Sequence, residues 1–455
     1  MGDQINLAEI AAAIGAARNQ AIANSQLSVT AIETDTRQLT PGALFLALSG
    51  EHFDGHRFVP EAIAAGAVAA VVNQAASVSD DYPLLRVADT LTAYQQLGHW
   101  WRQRASAPII AITGSVGKTT TKELIAAALA TQGSVLKTQA NYNNEIGVPK
   151  TLLSLQPDHQ FGVIEMGMRA AGEIALLSRI ARPDVAVITN VGTAHIGRLG
   201  SEQAIAAAKC ELLAEMPTTS IAVLNADNER LIKTAATVWT GRQITYGLTQ
   251  GDLQGRLVDS GTLEVEGVQL PLPLPGEHNA LNYLAAIAVM QALELDWRVL
   301  TQGITVELPA GRSRRRQIAA DIWLLDETYN AGVESMTAAL HLLAQTPGQR
   351  HIAVLGTMKE LGERSPDFHY QVGQVVQRLQ LDHLFILADP AEAVALARGA
   401  DPVPHEKFDS HGALAQRLQD FIKPGDRLLL KASRSVALDR VVDQLANSQA
   451  IPSIE

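Results

Sequence analysis

The chain has 455 residues, of which 47% are apolar, and its 36 basic against 47 acidic residues give a formal charge of −11. That length exceeds one compact core and calls for roughly two to four domains. The acidic balance disfavours non-specific nucleic acid binding and a basic membrane footprint, and a single cysteine, Cys210, excludes an intrachain disulfide and fits a reducing cytosol.

The opening MGDQINLAEI has no basic segment followed by an apolar core, so no secretory signal is expected, and Asn6 breaks the myristoylation pattern. The longest small-residue stretch, residues 62–72, is about half of a membrane span, so a cytoplasmic protein without membrane insertion is expected. Residues 1–87 mix strand-like runs such as LFLAL with turn signals at Pro41-Gly42 and Asp54-Gly55, and read as a small α/β module with no obvious catalytic cluster.

From residue 88 to 310 the pattern is βα alternation: PIIAITG, FGVIEMG, DVAVITNVG and SIAVLNADN, separated by helical stretches. Short, nearly all-apolar strands joined by helices predict a parallel sheet covered on both faces. The segment QLPLPLPG punctuates this domain, since repeated Pro neither continues a helix nor sits in a central strand, and a long helix is predicted from HNALNYLAAIAVM. From residue 311 to 455 the rhythm restarts with IWLLDETYN, HIAVLGTM, HLFILAD and RLLLKAS, predicting a second doubly wound domain.

Residues 112–121 read ITGSVGKTTT, between the PIIAIT strand and the KELIAAALA helix. Strand, glycine-rich turn and helix in that order predict nucleoside triphosphate binding. The turn of Gly114, Ser115, Val116, Gly117, Lys118, Thr119 and Thr120 is the expected cradle: backbone N–H groups close on the phosphates, Lys118 reaches the terminal ones and Thr119 ligates Mg2+. One departure stands out, because the general pattern places Gly where this chain has Ile112.

Ligands of open parallel sheets collect at the carboxyl ends of strands. Glu165 ends one apolar run and is a candidate magnesium ligand. Asn190, Thr193 and His195 lie in the loop TNVGTAHIG after another. Lys209, in EQAIAAAKCELL, is by periodicity an ordinary solvated helix lysine. Asn282, with His278 and Asn279, opens the long helix and would cap it or read a nucleobase. In GRSRRRQ most of the charge should be solvated, with Arg312 chosen as the one facing phosphate, and Asp326 ends a further strand where it could take a ribose hydroxyl or a cation.

Together these segments resemble the Mur ligase superfamily of ATP-dependent acid–amino acid ligases. The motifs follow family order: DTR and DGH near the start, then GSVGKTT, NYNNEIGVP, EMGMRAAGEI, TNVGTAHIG, AKCELL, GEHNALN, DETYNA and LGTMKELGE. The resemblance implies an α/β protein of three domains: residues 1–87 binding a UDP-sugar peptide, a central P-loop parallel-sheet ATPase over 88–310, and a Rossmann-like ligase domain over 311–455. NYNNEIGVP with LGTMKELGE points to members that join D-alanyl-D-alanine to UDP-N-acetylmuramoyl tripeptide, with a sister ligase adding the third amino acid, or a non-catalytic nucleotide-binding relative, as alternatives. By resemblance ATP first phosphorylates the peptide carboxylate, and two Mg2+ are expected. Thr119 and Glu165 position one, while His195 and Lys209, carbamylated by CO2, help hold the second. Asn282, Arg312 and Asp326 match nucleotide contacts, Asp35, Thr36 and Arg37 fall in the uridine nucleotide region, and Tyr329 and Asn330 lie where relatives meet the dipeptide. Departures are Gly332-Val333, where Asn-Pro is usual, and Cys210 and Ala432, where Gly is common. A monomer is expected.

Overall fold

Successive residues of a strand face opposite sides of its sheet, so a run with no polar position has to be covered twice. In strand Ile109–Thr113 of the computed structural model, Ile109 and Ala111 join one apolar cluster and Ile110 and Ile112 join another. Strand Val185–Ile188 divides the same way, Ala186 and Ile188 against Val185 and Val187. The described residues are 5–22, 26–51, 53–312 and 314–448; the first four residues of the segment read for targeting signals, and Ser313 of the arginine run, lie outside them. Among the described residues no helix is long and apolar enough to cross a membrane.

The first sheet has five strands in the order Ala17–Arg18, Leu84–Val87, Ala69–Asn73, Leu44–Leu46, Ile32–Glu33, parallel except for the first pair. Helix Thr90–Arg104, capped by Asp89 accepting from Thr92 N, buries Tyr94 and Leu97 against this sheet. Full burial of a side chain such as Leu97 contributes about 1.5–3 kcal/mol. The helix joins the first sheet to the rest of the chain: a Cβ on Gly98 would lie 2.9 Å from Pro149 Cα, and Trp101 Nε1 donates to Leu155 O at 3.0 Å. Glycine at 98 therefore lets two backbones approach at the join.

The central sheet has nine strands, ordered Val135–Lys137, Phe161–Glu165, Ile109–Thr113, Val185–Ile188, Ile221–Asn225, Gln243–Gly247, Leu253–Asp259, Thr262–Val265 and Val268–Pro271. The first seven run parallel, whereas the last two reverse and pair antiparallel. The predicted parallel sheet is present, extended at one edge by these antiparallel strands. Glu266 and Gly267, at φ 50° and 76°, form the two-residue reversal that a hairpin needs. Pro271 ends the edge strand, where its missing N–H leaves no ladder bond unmade. Helices Lys118–Leu129 and Glu277–Ala292 pack together over one face.

The third sheet is ordered Arg314–Ala319, Ile322–Glu327, Asp426–Lys431, Arg350–Gly356, His383–Leu387, His405–Lys407, with only the first pair antiparallel. The arginine run thus continues as an edge strand, with Arg314 and Arg315 exposed. One apolar cluster runs from beneath the central sheet into this unit, joining Ile188 and Ile205 to Met336, Leu340 and Leu355. The two units consequently share a core where the carboxyl ends of their strands meet.

Candidate active site

The turn after Ile109–Thr113 owes its shape to two glycines. Gly114 is at φ 155°, and a Cβ there would lie 1.9 Å from Thr189 Oγ1; Gly117 is at φ 83°, and a Cβ there would lie 2.8 Å from Asn282 Oδ1. The neighbouring strand end grips the turn from outside. Asn190 Oδ1 accepts from Val116 N at 3.0 Å and its backbone O accepts from Ser115 N at 3.1 Å, while Thr189 Oγ1 donates to Val116 O at 2.7 Å. Thr121 Oγ1 donates to Asn282 Oδ1 at 3.0 Å, which fixes the long helix against the P-loop helix. Ile112 is interior to the strand and fully buried, so the turn begins two residues later than the general pattern requires.

Lys118 Nζ donates to Gly114 O at 2.7 Å, folding the side chain back over the turn. Burial pushes its pKa below the ordinary lysine value; Glu165 pulls it back up, and Arg312 pushes it further down. Glu165 is only 3% exposed, and its Oε1 accepts from Asn143 Nδ2 at 2.8 Å. Its Oε2 is buried with no hydrogen-bond partner. A buried carboxylate oxygen left open is costly, and a cation in the cleft would satisfy it. Among the described residues no three His, Cys, Asp or Glu side chains converge on a point that would hold a metal. A hard cation here would accordingly take much of its coordination from phosphate oxygens and water.

Lys209, in helix Glu202–Glu215, is 1% exposed, which corrects the solvated-lysine reading that periodicity favours. Burial, and next the charge of Lys118, hold its pKa well below the ordinary value, against the pull of Cys210 and Glu334. His195 takes a left-handed conformation at φ 68° and begins helix Ile196–Leu199. Burial lowers its pKa, Glu360 raises it, and Lys118 and Lys209 lower it again. Lys118, His195 and Lys209 share one cleft of about 550 Å3, whose walls come from the central and C-terminal units.

Of the residues singled out in the sequence, Ser115, Val116, Gly117, Lys118, Thr119, Thr120, Glu165, His195, Lys209, Asn282, Arg312, Tyr329 and Asn330 line that cleft. Arg312 lays its guanidinium 4.0 Å from the centre of the Tyr329 ring, and its Nε is buried without a hydrogen-bond partner. Asn330 O accepts from Lys431 Nζ at 3.0 Å. Gly114 is not among the lining residues, and its carbonyl accepts from Lys118 Nζ. Asp326 is not brought into the lining: its Oδ1 accepts from Thr328 Oγ1 at 2.7 Å within its own turn. Asp35, Thr36 and Arg37 are elsewhere, in the N-terminal unit just beyond strand Ile32–Glu33. There Asp35 caps a short 3-10 helix at Thr36–Gln38 and pairs with Arg37 at 2.7 Å, which holds the Asp35 carboxyl down at about 2.

Several further residues at the cleft belong to no motif that assigns them a role. Asn143 lies in NYNNEIGVP, a segment used there only as a signature. Glu334 accepts from Thr193 N at 2.6 Å and from Thr193 Oγ1 at 3.2 Å, across 141 residues of chain. A Cβ on Gly192 would lie 2.4 Å from Glu334 Oε1, so that glycine admits the carboxylate. Glu334 stands directly after the Gly332-Val333 departure, the one local signal that could have drawn attention to it.

Residues 28–113 match the description "Mur ligase family, catalytic domain", residues 112–290 "Mur ligase middle domain", and residues 311–434 "Mur ligase, glutamate ligase domain". The chain is 57% identical to the UDP-N-acetylmuramoyl-tripeptide–D-alanyl-D-alanine ligase of Synechocystis sp., with 93% of each chain covered. It is 37% identical to the ligase of the same name from Escherichia coli, over 94% of this chain and 96% of the relative. Among solved structures, MurF from Acinetobacter baumannii superposes with a TM-score of 0.88 at 30% identity, covering 98% of this chain and 99% of its own. MurF ligase from Thermotoga maritima in complex with ADP gives 0.81 at 30% identity, over 92% and 97%. Family descriptions, relatives and structures agree along nearly the whole chain, and the chain belongs to the Mur ligase family.

Proposed function

We propose that this chain is an ATP-dependent ligase that joins D-alanyl-D-alanine to UDP-N-acetylmuramoyl tripeptide, giving the pentapeptide precursor of peptidoglycan, ADP and phosphate. The observation that carries it is one cleft in which the Gly117-Lys118-Thr119 turn faces Glu165 and Lys209, closed on the far side by Arg312, Tyr329 and Asn330. A carboxylate is a poor electrophile at neutral pH. Transfer of the terminal phosphoryl group of ATP to it gives an acyl phosphate and ADP. The dipeptide amine then attacks that carbonyl, loses a proton and expels phosphate, so catalysis rests on positioning and on screening charge.

Gly114 to Thr120 cradle the phosphates in this reading, and Lys118 reaches the terminal one. Thr119 and Glu165 would hold one Mg2+, and His195 with Lys209 a second; the metal, when bound, would screen phosphate charge. The open Oε2 of Glu165 supports the first site. Burial that disfavours the Lys209 ammonium supports a carbamate there, because the neutral amine is the form that adds CO2 and releases a proton. Asn282, Arg312 and Asp326 are assigned to the nucleotide, Tyr329 and Asn330 to the dipeptide, and Asp35, Thr36 and Arg37 to the uridine nucleotide. We place the units at 1–87, 88–310 and 311–455, and the protein in the cytoplasm. Phosphate release from ATP tests the reading: it should require tripeptide and D-alanyl-D-alanine together, and release with a free diamino acid and the dipeptide precursor would assign the sister activity instead.

A further inference from the structure

The loop that grips the phosphate-binding turn is itself gripped from the C-terminal unit. His195, at φ 68°, and Glu360, at φ 66°, are non-glycine residues in the left-handed region, a cost that their surroundings must offset. Each is fixed against the other. Gly197 N donates to Glu360 O at 3.0 Å, and a Cβ on Gly197 would lie 2.5 Å from Gly362 N. His195 Nδ1 lies 2.6 Å from Glu360 Oε2, off the line of a good hydrogen bond, and is buried with no hydrogen-bond partner elsewhere among the described residues. Arg198 stands 3.6 Å from the other Glu360 oxygen. His195 lines the cleft whereas Glu360 stands behind it.

We propose that Glu360 is a positioning residue: reaching across from the C-terminal unit, it holds the Nδ1 side of His195 and so presents Nε2 to the cleft. A carboxylate beside Nδ1 is an acceptor for Nδ1–H and so favours the tautomer that keeps its proton there and its lone pair on Nε2, the arrangement that orients a ligating or hydrogen-bonding imidazole. Glu334, on helix Val333–Gln345, holds Thr193 two residues earlier, so both carboxylates that bracket His195 come from the C-terminal unit. Orientation of the ring is thereby made conditional on docking of that unit. The inference rests on the proposed function only in giving His195 work to do from Nε2.

The test reads the histidine nitrogens of the full-length chain labelled with 15N-histidine, with His195 assigned by loss of its signals in His195→Gln. Wild-type His195 should show the Nδ1-protonated pattern. In Glu360→Met, which keeps the reach of a side chain that is 37% exposed but removes the acceptor, the pattern should move toward Nε2 protonation. There kcat should fall about 10–100-fold with KM for ATP much less affected. Glu360→Gln, whose amide oxygen still accepts from Nδ1–H, should retain the wild-type pattern and most of kcat, and Glu363→Ala on the adjacent surface should change neither. A wild-type ring protonated on Nε2, a Glu360→Met variant with unmoved nitrogens, or moved nitrogens with unchanged kcat would each overturn the role. The nitrogen spectrum is read on the protein alone, so it stands apart from the proposed activity, which fails separately if the wild type does not turn over tripeptide and dipeptide.

Discussion

Lys118 and Lys209 show how burial separates two side chains of the same type. Lys118 donates to a turn carbonyl and stays within reach of Glu165, so its positive charge is locally supported. Lys209 has the larger push away from the charged form, because desolvation is reinforced by Lys118. Lys118→Ala should reduce phosphate release by about a thousandfold, the upper end for loss of a preorganised charge donor. Because the substitution removes a desolvated charge from the turn, the melting temperature should stay near that of the wild type; near-wild-type turnover would take the turn out of the mechanism. Lys209→Ala should lose activity that short carboxylic acids partly restore by supplying the missing oxygens, measured as turnover against added formate or acetate. Full activity without added acid would return Lys209 to an ordinary buried lysine. The buried Cys210 next to it, its thiol pushed up to about 12, has too little thiolate at neutral pH to react with iodoacetamide until the protein unfolds.

At the scale of elements, the P-loop is held by side chains from other strand ends as much as by its own glycines. Gly117→Ala should cost about 1–2 kcal/mol in stability from the left-handed backbone alone. The added Cβ also meets Asn282 Oδ1. Both a lower melting temperature and weaker nucleotide binding are expected, and a variant unchanged in both would mean that the helix pair relaxes freely. A second element reports pH. Helix Ser365–Arg378 carries fully buried His369, whose Nε2 accepts from Met358 N at 2.9 Å and whose Nδ1 donates to Ser365 O at 2.7 Å. Burial lowers its pKa against the opposing pull of Ser365 O, Glu392 and Asp389, with Lys359 adding to the lowering. The folded state therefore binds this proton less readily than the unfolded one. Stability is fully present above the unfolded histidine pKa of about 6.5 and declines as pH falls below it, until the folded pKa is passed. Melting temperatures between about pH 7 and 5 should fall more steeply in the wild type than in His369→Gln; equal slopes would contradict the assignment.

Over the whole molecule, what the sequence makes legible is local. Apolar runs ending in Thr113, Glu165 and Asn190 become strands that deliver those residues to one edge, because an all-apolar run and a polar stop are both written in consecutive positions. The strands of the hairpin edge alternate between buried and exposed residues and lack an all-apolar run, so their pattern does not announce them as members of the central sheet. Contacts that complete the cleft are of another kind. Glu334 with Thr193, Glu360 with His195 and Asn282 with Thr121 join residues more than a hundred positions apart, and no spacing rule connects them. Periodicity likewise could not reveal that Lys209 is buried, since the neighbour that covers its helix belongs to another part of the chain. The proposed reaction requires the assembled molecule to transfer phosphoryl to the tripeptide carboxylate before the dipeptide amine attacks. It is tested with UDP-N-acetylmuramoyl tripeptide carrying 18O at both oxygens of the reacting carboxylate, together with ATP and D-alanyl-D-alanine. Each released phosphate should carry one 18O, whereas unlabelled phosphate accompanying pentapeptide formation would rule out the acyl phosphate.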